Sequence, residues 1–426
     1  MQTFINPHIS IWQNIIKRPE IDNAGLKDIV SNILEDVKQN GDTAVKKYCL
    51  QFDGVELDDL KANENEFAEA ILNVDDKLKR AIQLAKSNIE KFHLSQKEVS
   101  NIIETTPGVK CWRKFVAIEK VGLYIPGGTA PLFSTVLMLA IPALLAGCRE
   151  ITICTPSDKN GNVNPTILYV ANLLGLKNIF KIGGVQAIAA MSYGTETIPR
   201  LYKIFGPGNQ YVTTAKKIVS SEGVAIDMPA GPSEIAIYAD ESCRPAYVAS
   251  DLLSQAEHGV DSQVILVTTS QQIIDDVKKE IDLQIKLLQR KVIIERSLAN
   301  SFFVVMENID DAFYLINEYA PEHLIIASDN ADDLSAKVVN AGSIFLGHYS
   351  PESAGDYASG TNHTLPTNGF AKAFSGVSLD SFVKKITFQK LSKEGLQNIG
   401  SAVELMAEAE GLSAHKNAIS VRLKNL

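Results

Sequence analysis

From about Val121 to Leu346 the chain alternates short apolar runs with helical stretches, and this rhythm restricts the fold more than any other feature. Strands are expected at Glu150–Cys154, Asn178–Ile182, Tyr202–Phe205 and Val224–Asp227. Helices are expected over Leu132–Ala146, Thr166–Leu174, Gln186–Tyr193 and Gln210–Ser220. A second strand series runs through Glu234–Tyr238, Gln263–Thr268, Phe302–Met306, Leu324–Ala327 and Ser343–Leu346. Strand, helix, strand in repetition produces parallel pairing, because a parallel connection must cross a face of the sheet. Near-continuous apolar runs mean that both faces are covered. The expected class is α/β, with two doubly wound, Rossmann-like units built on parallel sheets, plus an N-terminal arm and a helical C-terminal tail.

The flanks carry weaker signals. Residues 1–21 hold two prolines and little periodicity and are expected to form the arm. Helical periodicity follows at Ala24–Gln39, Thr43–Gln51 and Asp75–Gln96. Residues 22–123 with 235–377 are assigned to a first α/β domain, residues 124–234 to a second, and 378–426 to the tail. Between His348 and Ser378 the chain is rich in Gly, Ser, Thr, Asn and Pro, and an irregular loop of that length inside a compact enzyme is usually functional. In the tail, helices are expected at roughly Lys393–Glu410 and His415–Lys424, with Gly411 as a C-cap and Ser413 as an N-cap.

Composition excludes several classes. At 426 residues the chain needs more than one core. A net charge of −9 without a Lys/Arg block argues against broad nucleic-acid binding. Five cysteines, odd in number and lacking C-x-x-C spacing, suit a reducing compartment and offer no thiolate metal cage. The longest apolar run, Val136–Cys148, is too short to span a bilayer, and the N-terminus has no signal-peptide form. A soluble cytoplasmic protein is expected.

Several segments could carry chemistry. Gln255 and His258 sit three apart at an expected helix end, so both can face one metal ion as half of a ligand set. A surface Gln and a helix C-terminal His explain the same spacing. Glu322 and His323 suit proton transfer, although adjacent strand residues normally point to opposite faces. Three glycine turns, Tyr124–Gly128, Ile182–Ala187 and Phe205–Asn209, each follow a strand and precede a helix, where backbone N–H groups can approach a phosphate. Tight strand-to-helix turns are the plainer reading of each, and the dinucleotide fingerprint G-x-G-x-x-G is absent. Cys111 and Cys148 have basic neighbours but no nearby His, which disfavours a thiolate nucleophile.

Taken together, VGLYIPGGTAPLFSTVLMLAIPA, KIGGVQAIAAMSYGT, FGPGNQYVTTAK, DMPAGPSE, SQAEHGVDSQ, YAPEHL, SPESAGDYASGTNHTLPT and AEGLSAHKNA resemble the histidinol dehydrogenase family, in the family's order. The resemblance implies a zinc ion on Gln255, His258, Asp356 and His415, and proton transfer by Glu322 and His323. It places NAD contacts at Tyr124, Gln186 and Asn209. Substrate contacts fall on Ser233 and Glu410, with the four metal residues and His323 also touching L-histidinol. His363 lies in a family segment without an assigned role. A homodimer is implied, with His415 and Glu410 supplied by the partner's tail, and with neither membrane nor nucleic acid as partner. Tyr349 stands where the family more usually has Trp or Thr, and no functional group is lost. A zinc hydrolase and a non-catalytic metabolite-binding protein are the rival readings; the first lacks an HExxH-type motif.

Overall fold

A computed structural model describes residues 1–19, 25–127, 132–229 and 231–426. Among these residues the strands are, in chain order, β1 (Gln2–Ile5), β2 (Ile103–Thr106), β3 (Val109–Ala117), β4 (Lys120–Tyr124), β5 (Glu150–Cys154), β6 (Ile179–Phe180) and β7 (Lys203–Phe205). They continue as β8 (Ala225–Ile226), β9 (Glu234–Ala239), β10 (Gln263–Thr268), β11 (Phe302–Val305), β12 (His323–Ala327), β13 (Ser343–Leu346) and β14 (Val383–Leu391).

Two parallel sheets emerge, as the alternation requires. One runs β6-β5-β4-β7-β8, with the chain order reversing at β4. The other runs β1-β11-β10-β9-β12-β13, reversing at β9. The central strands β9, β10 and β12 are buried along their whole length, which is why they read as unbroken apolar runs.

Three flanking expectations change. The expected N-terminal arm begins as a strand, because β1 pairs in parallel with β11 and closes the edge of the six-stranded sheet. Trp12 then packs into the core beneath Tyr314, with its indole N–H donating to the Pro7 carbonyl at 2.8 Å. The helices expected at Ala24–Gln39 and Thr43–Gln51 are one helix, Leu26–Tyr48, broken in geometry at Gly41 (φ 51, ψ −134); Ala24 itself lies outside the described residues. This helix and those at Glu64–Asn73 and Asp76–Leu94 pack on the core of the five-stranded sheet, not on the six-stranded sheet to which residues 22–123 were assigned. Amphipathic periodicity shows that a helix has a buried face but not which sheet covers it.

The tail is not wholly helical. β14 pairs antiparallel with β3, and β2 completes a three-stranded sheet that no local pattern announced. Helices Lys393–Ala409 and Ser413–Leu423 follow. Gly411 takes the expected left-handed conformation (φ 73), but Ser413 is already helical, and Leu412 occupies the cap position without a side-chain bond.

Removing the Trp12 indole should leave a large cavity under the sheet edge. Trp12→Ala is expected to cost about 3–5 kcal/mol of stability, read as a lowered urea midpoint. An unchanged midpoint would mean that the first segment is dispensable to the core.

Candidate active site

The two sheets present opposite ends to the site. Tyr124 ends β4, and the turns 182–184 and 205–209 follow β6 and β7, so these residues lie at the carboxyl edge of the five-stranded sheet. Helices Gly184–Tyr193 and Gln210–Ser221 begin there and direct their N-termini, partially positive, toward a cavity of about 1200 Å³. Tyr124, Gln186 and Asn209 all line it. The Tyr124 hydroxyl accepts the Gly184 N–H at 3.1 Å, and burial pushes the phenol up to about 12. Gln186 is buried with its Oε1 unpartnered, an acceptor left open. Asn209 caps its helix, accepting from the N–H groups of Tyr211 and Val212 at 3.0 and 3.1 Å.

The glycines of these turns serve close packing. A Cβ on Gly206 (φ 126) would collide with the Tyr124 carbonyl, and one on Gly183 would stand 2.8 Å from Pro156. Asp227 accepts the Gly206 N–H at 2.8 Å and pairs with buried Lys216, whose ammonium also donates to the Gly206 carbonyl at 2.8 Å. The tight-turn reading therefore accounts for both positions. Gly128, the last residue of the first turn, lies outside the described residues.

The second half of the site gathers at the amino edge of the six-stranded sheet. Glu234 opens β9, Gln263 opens β10 and His323 opens β12. The helix Pro245–Ala256 ends here, with Gln255 in its last turn and His258 just past it. A helix C-terminus is partially negative and favours a cation. The short helix Glu352–Tyr357, inside the expected long loop, carries Glu352 and Asp356 one turn apart on one face. Asn88 and Asn362 hold the loop that follows it, donating to the carbonyls of Ala358 and Met138 at 2.8 and 2.6 Å.

Ligand atoms of His258, Glu352 and Asp356 lie within 4.8 Å of one another. Gln255 adjoins this group. With its amide nitrogen toward Glu352 it donates to that carboxylate, and its oxygen accepts the Glu234 N–H at 2.9 Å. With its oxygen toward Glu352, acceptor would face acceptor and its nitrogen would face the Glu234 N–H, so the first orientation is the satisfied one. A donor set of imidazole, carboxylates and amide oxygen suits a divalent ion such as zinc. His415 is exposed on helix Ser413–Leu423 and is not part of this group; Glu410, just ahead of it, is exposed as well.

His323 occupies the centre. It is 3% exposed, yet neither ring nitrogen has a hydrogen-bond partner. Nδ1 lies 3.6 Å from Glu352 and 3.7 Å from Glu322, and Nε2 lies 3.6 Å from Asp356. Glu322 reaches the same side as His323 because it precedes the strand, after Ala320 in a left-handed conformation (φ 51), so strand alternation does not separate them. Burial pushes Glu322 and Glu352 up to about 8. Burial opposes charge on His323 too, but Glu352, Glu322 and Asp356 outweigh it and lift the imidazole to about 10. A cation among these carboxylates would offset their field and bring the imidazole back down. Burial lowers His258 and His363, which favours the neutral ring that a metal needs. His258 is solvent-accessible at the rim, with protein packed around the rest of its ring. His363 bonds the Asp356 carbonyl at 2.9 Å and the Thr135 hydroxyl at 3.2 Å, linking the site to helix Phe133–Ala146.

Ser233, His258 and Asn209 line a second cavity, of about 920 Å³, which shares Pro126 and Asn209 with the first. Most of the residues singled out in the sequence thus converge, with His415 and Glu410 apart. Glu352 was missed, although its spacing of four from Asp356 was visible.

Helix N-termini on one cleft, and a buried acid–base cluster beside His258 of the adjoining cavity, are the makings of an α/β enzyme site. The family model for histidinol dehydrogenase matches residues 16–423. Histidinol dehydrogenase of Bacteroides fragilis is 58% identical over 420 residues, covering 99% of this chain and 98% of its own length. That of Mannheimia succiniciproducens is 50% identical over 427 residues, covering 98% and 99%. The crystal structure of histidinol dehydrogenase from Elizabethkingia anophelis superposes with a TM-score of 0.98 at 58% identity, covering 100% of this chain and 98% of that one. The chain belongs to the histidinol dehydrogenase family, and with it takes the role of an oxidoreductase of histidine biosynthesis. Among the described residues no helix is long and apolar enough to cross a membrane.

Cys148 is buried and its thiol is pushed up to about 12, so it is no nucleophile at neutral pH. Iodoacetamide should leave it unlabelled in native protein at pH 7.5, by peptide mass spectrometry. Rapid native labelling of Cys148 would contradict this burial.

Proposed function

We propose that this chain oxidises L-histidinol to L-histidinal and then to L-histidine, with NAD+ accepting both hydrides and zinc in the site. The observation that carries the reading is His323, a buried imidazole with two unpartnered nitrogens beside a ready-made cation site. Such a group in a dry pocket is otherwise costly, and it is suited to receiving substrate protons.

Gln255, His258 and Asp356 would hold zinc, with His415 supplied by the tail of a second copy of the chain. Zinc would supply Lewis acidity and a fixed anchor for the amine and imidazole nitrogens of the substrate. Tyr124, Gln186 and Asn209 bind the dinucleotide, and the helix N-termini beside them favour its phosphates. Ser233 and Glu410 contact the substrate, the latter suited to its ammonium group. In the first oxidation His323 accepts the alcohol proton as the hydride departs. In the second, Glu322 takes a proton from the water adding to the aldehyde, and His323 accepts the hydrate's hydroxyl proton as the next hydride leaves. Apolar side chains left exposed on the tail, Leu405 at 64% and Met406 at 66% with Ile386 and Phe388 on β14, support a homodimer formed through this region.

Purified protein should form two NADH per L-histidinol, lose this activity on chelation and regain it with Zn2+. His323→Asn should keep its zinc while kcat falls by about 10²–10⁴; full turnover in that variant would remove His323 from the mechanism. For the shared site, His258→Ala and His415→Ala are each expected to be inactive, and to recover partial activity when mixed and re-associated. Verified mixed dimers without recovery would place both ligands in one subunit.

A further inference from the structure

The carboxylate directly behind Glu322 takes no part in the steps above. Glu234 is 2% exposed and receives a two-pronged grip from Arg18, Nε to Oε2 at 2.6 Å and Nη2 to Oε1 at 2.7 Å. Nη2 also donates to the Tyr319 carbonyl at 2.7 Å, and the guanidinium stacks 4.0 Å from the Tyr319 ring centroid. The Tyr319 hydroxyl donates to Gln263 Oε1 at 2.9 Å and lies 3.4 Å from Glu234 Oε2. On its other side, the Glu234 N–H donates to Glu322 Oε2 at 3.0 Å, a donor it shares with the Gln255 oxygen when that amide is turned toward it. Tyr319 stands three residues ahead of Glu322, with the left-handed Ala320 between them. Arg18 therefore holds both supports of Glu322: the strand start that orients its carboxylate, and the carbonyl from which its turn departs.

We propose that Arg18 is a positioning residue for the second oxidation, holding Glu322 where it can take the proton of the water that adds to the aldehyde. This rests on Glu322 being the water-activating group, as read above. The planar fork meets both carboxylate oxygens of Glu234 while a third bond reaches Tyr319, a geometry that a lysine ammonium cannot reproduce. Without the fork, Glu234 becomes an unpaired buried anion beside Glu322, and the strand start must shift or hydrate to relieve it. The ring of His323 takes no bond from Arg18 or from Glu234 among the described residues, and its backbone is held on both sides, by β9 at Ile235 and by β13 at Ser343. The first oxidation, which needs His323 and not Glu322, should be spared.

The test compares zinc-loaded wild type with Arg18→Met, Arg18→Lys and the double variant Arg18→Met/Glu234→Gln. Rates are measured on L-histidinol and on L-histidinal, with semicarbazide to trap released aldehyde, beside zinc content and the melting midpoint. Arg18→Met is expected to slow aldehyde oxidation by about tenfold or more while the alcohol step changes by less than about threefold. Trapped aldehyde then appears, and NADH per histidinol falls from two toward one. The double variant, which removes the stranded charge, should recover aldehyde oxidation to within about threefold of wild type. A general loss of structure would instead lower both rates together and would not be rescued. Equal effects on both steps, or no effect on either, overturn the proposal. Should Arg18→Met fail to fold, the same ratio is read from Arg18→Lys, which keeps the charge and loses the fork. Wild-type protein that forms no NADH from either substrate overturns the proposed function, and this inference with it. Wild-type activity with an unchanged ratio in the Arg18 variants overturns the inference alone.

Discussion

Strand polarity governs this molecule. In a fully parallel sheet every helix that follows a strand begins at one edge, and every helix that precedes a strand ends at the other. The chain sets the carboxyl edge of its five-stranded sheet against the amino edge of its six-stranded sheet, and residues of both line one cavity. One wall therefore offers the N-terminus of helix Gln210–Ser221 and the other the C-terminus of helix Pro245–Ala256. The partial charges are opposite. One wall favours an anion and the other a cation.

Charge balance then decides the detail of the metal wall. Glu322, Glu352 and Asp356 crowd around His323 in a region with little water, and Glu234 stands just behind. So many buried carboxylates are tolerated only when each is paired, protonated or bound to a cation. Arg18 satisfies Glu234, while burial pushes Glu322 and Glu352 up toward the protonated form. His258, Glu352 and Asp356 bring together ligand atoms that could hold a divalent ion. His323 faces all three carboxylates, Glu322 and Glu352 through Nδ1 and Asp356 through Nε2.

Much of the fold could be read from residue order alone. β5 and β10 have the expected bounds, and most other strands of the two parallel sheets differ by a residue or two, because buried parallel strands leave unbroken apolar runs; edge strand β13 also has the expected bounds, though only Phe345 in it is buried. The exceptions have physical causes. β2, β3 and β14 expose much of their surface in the single chain, so burial imposes no clear alternation, and their pairing joins segments some 270 residues apart. β1 is four residues at a sheet edge, followed by Pro7 and a short helix, and only its partner β11 identifies it as a strand. At the site, Glu322, His323, Gln255 and His258 were legible as local pairs, and Asp356 through family resemblance. Glu352 was passed over although its spacing of four from Asp356 was visible, and Arg18 was not legible, since a lone arginine carries no local sign of what it will meet.

What residue order determined by itself is the alternation of strand and helix, and with it parallel sheets whose edges carry opposite partial charge. Tertiary structure alone decided which edges face each other and which distant carboxylates share a pocket. It also decided that an arginine from the first twenty residues would brace a glutamate three hundred positions later. The reason is that helix and strand periodicity arise from local backbone geometry, whereas ion pairing depends on distances that exist only once the sheets have packed.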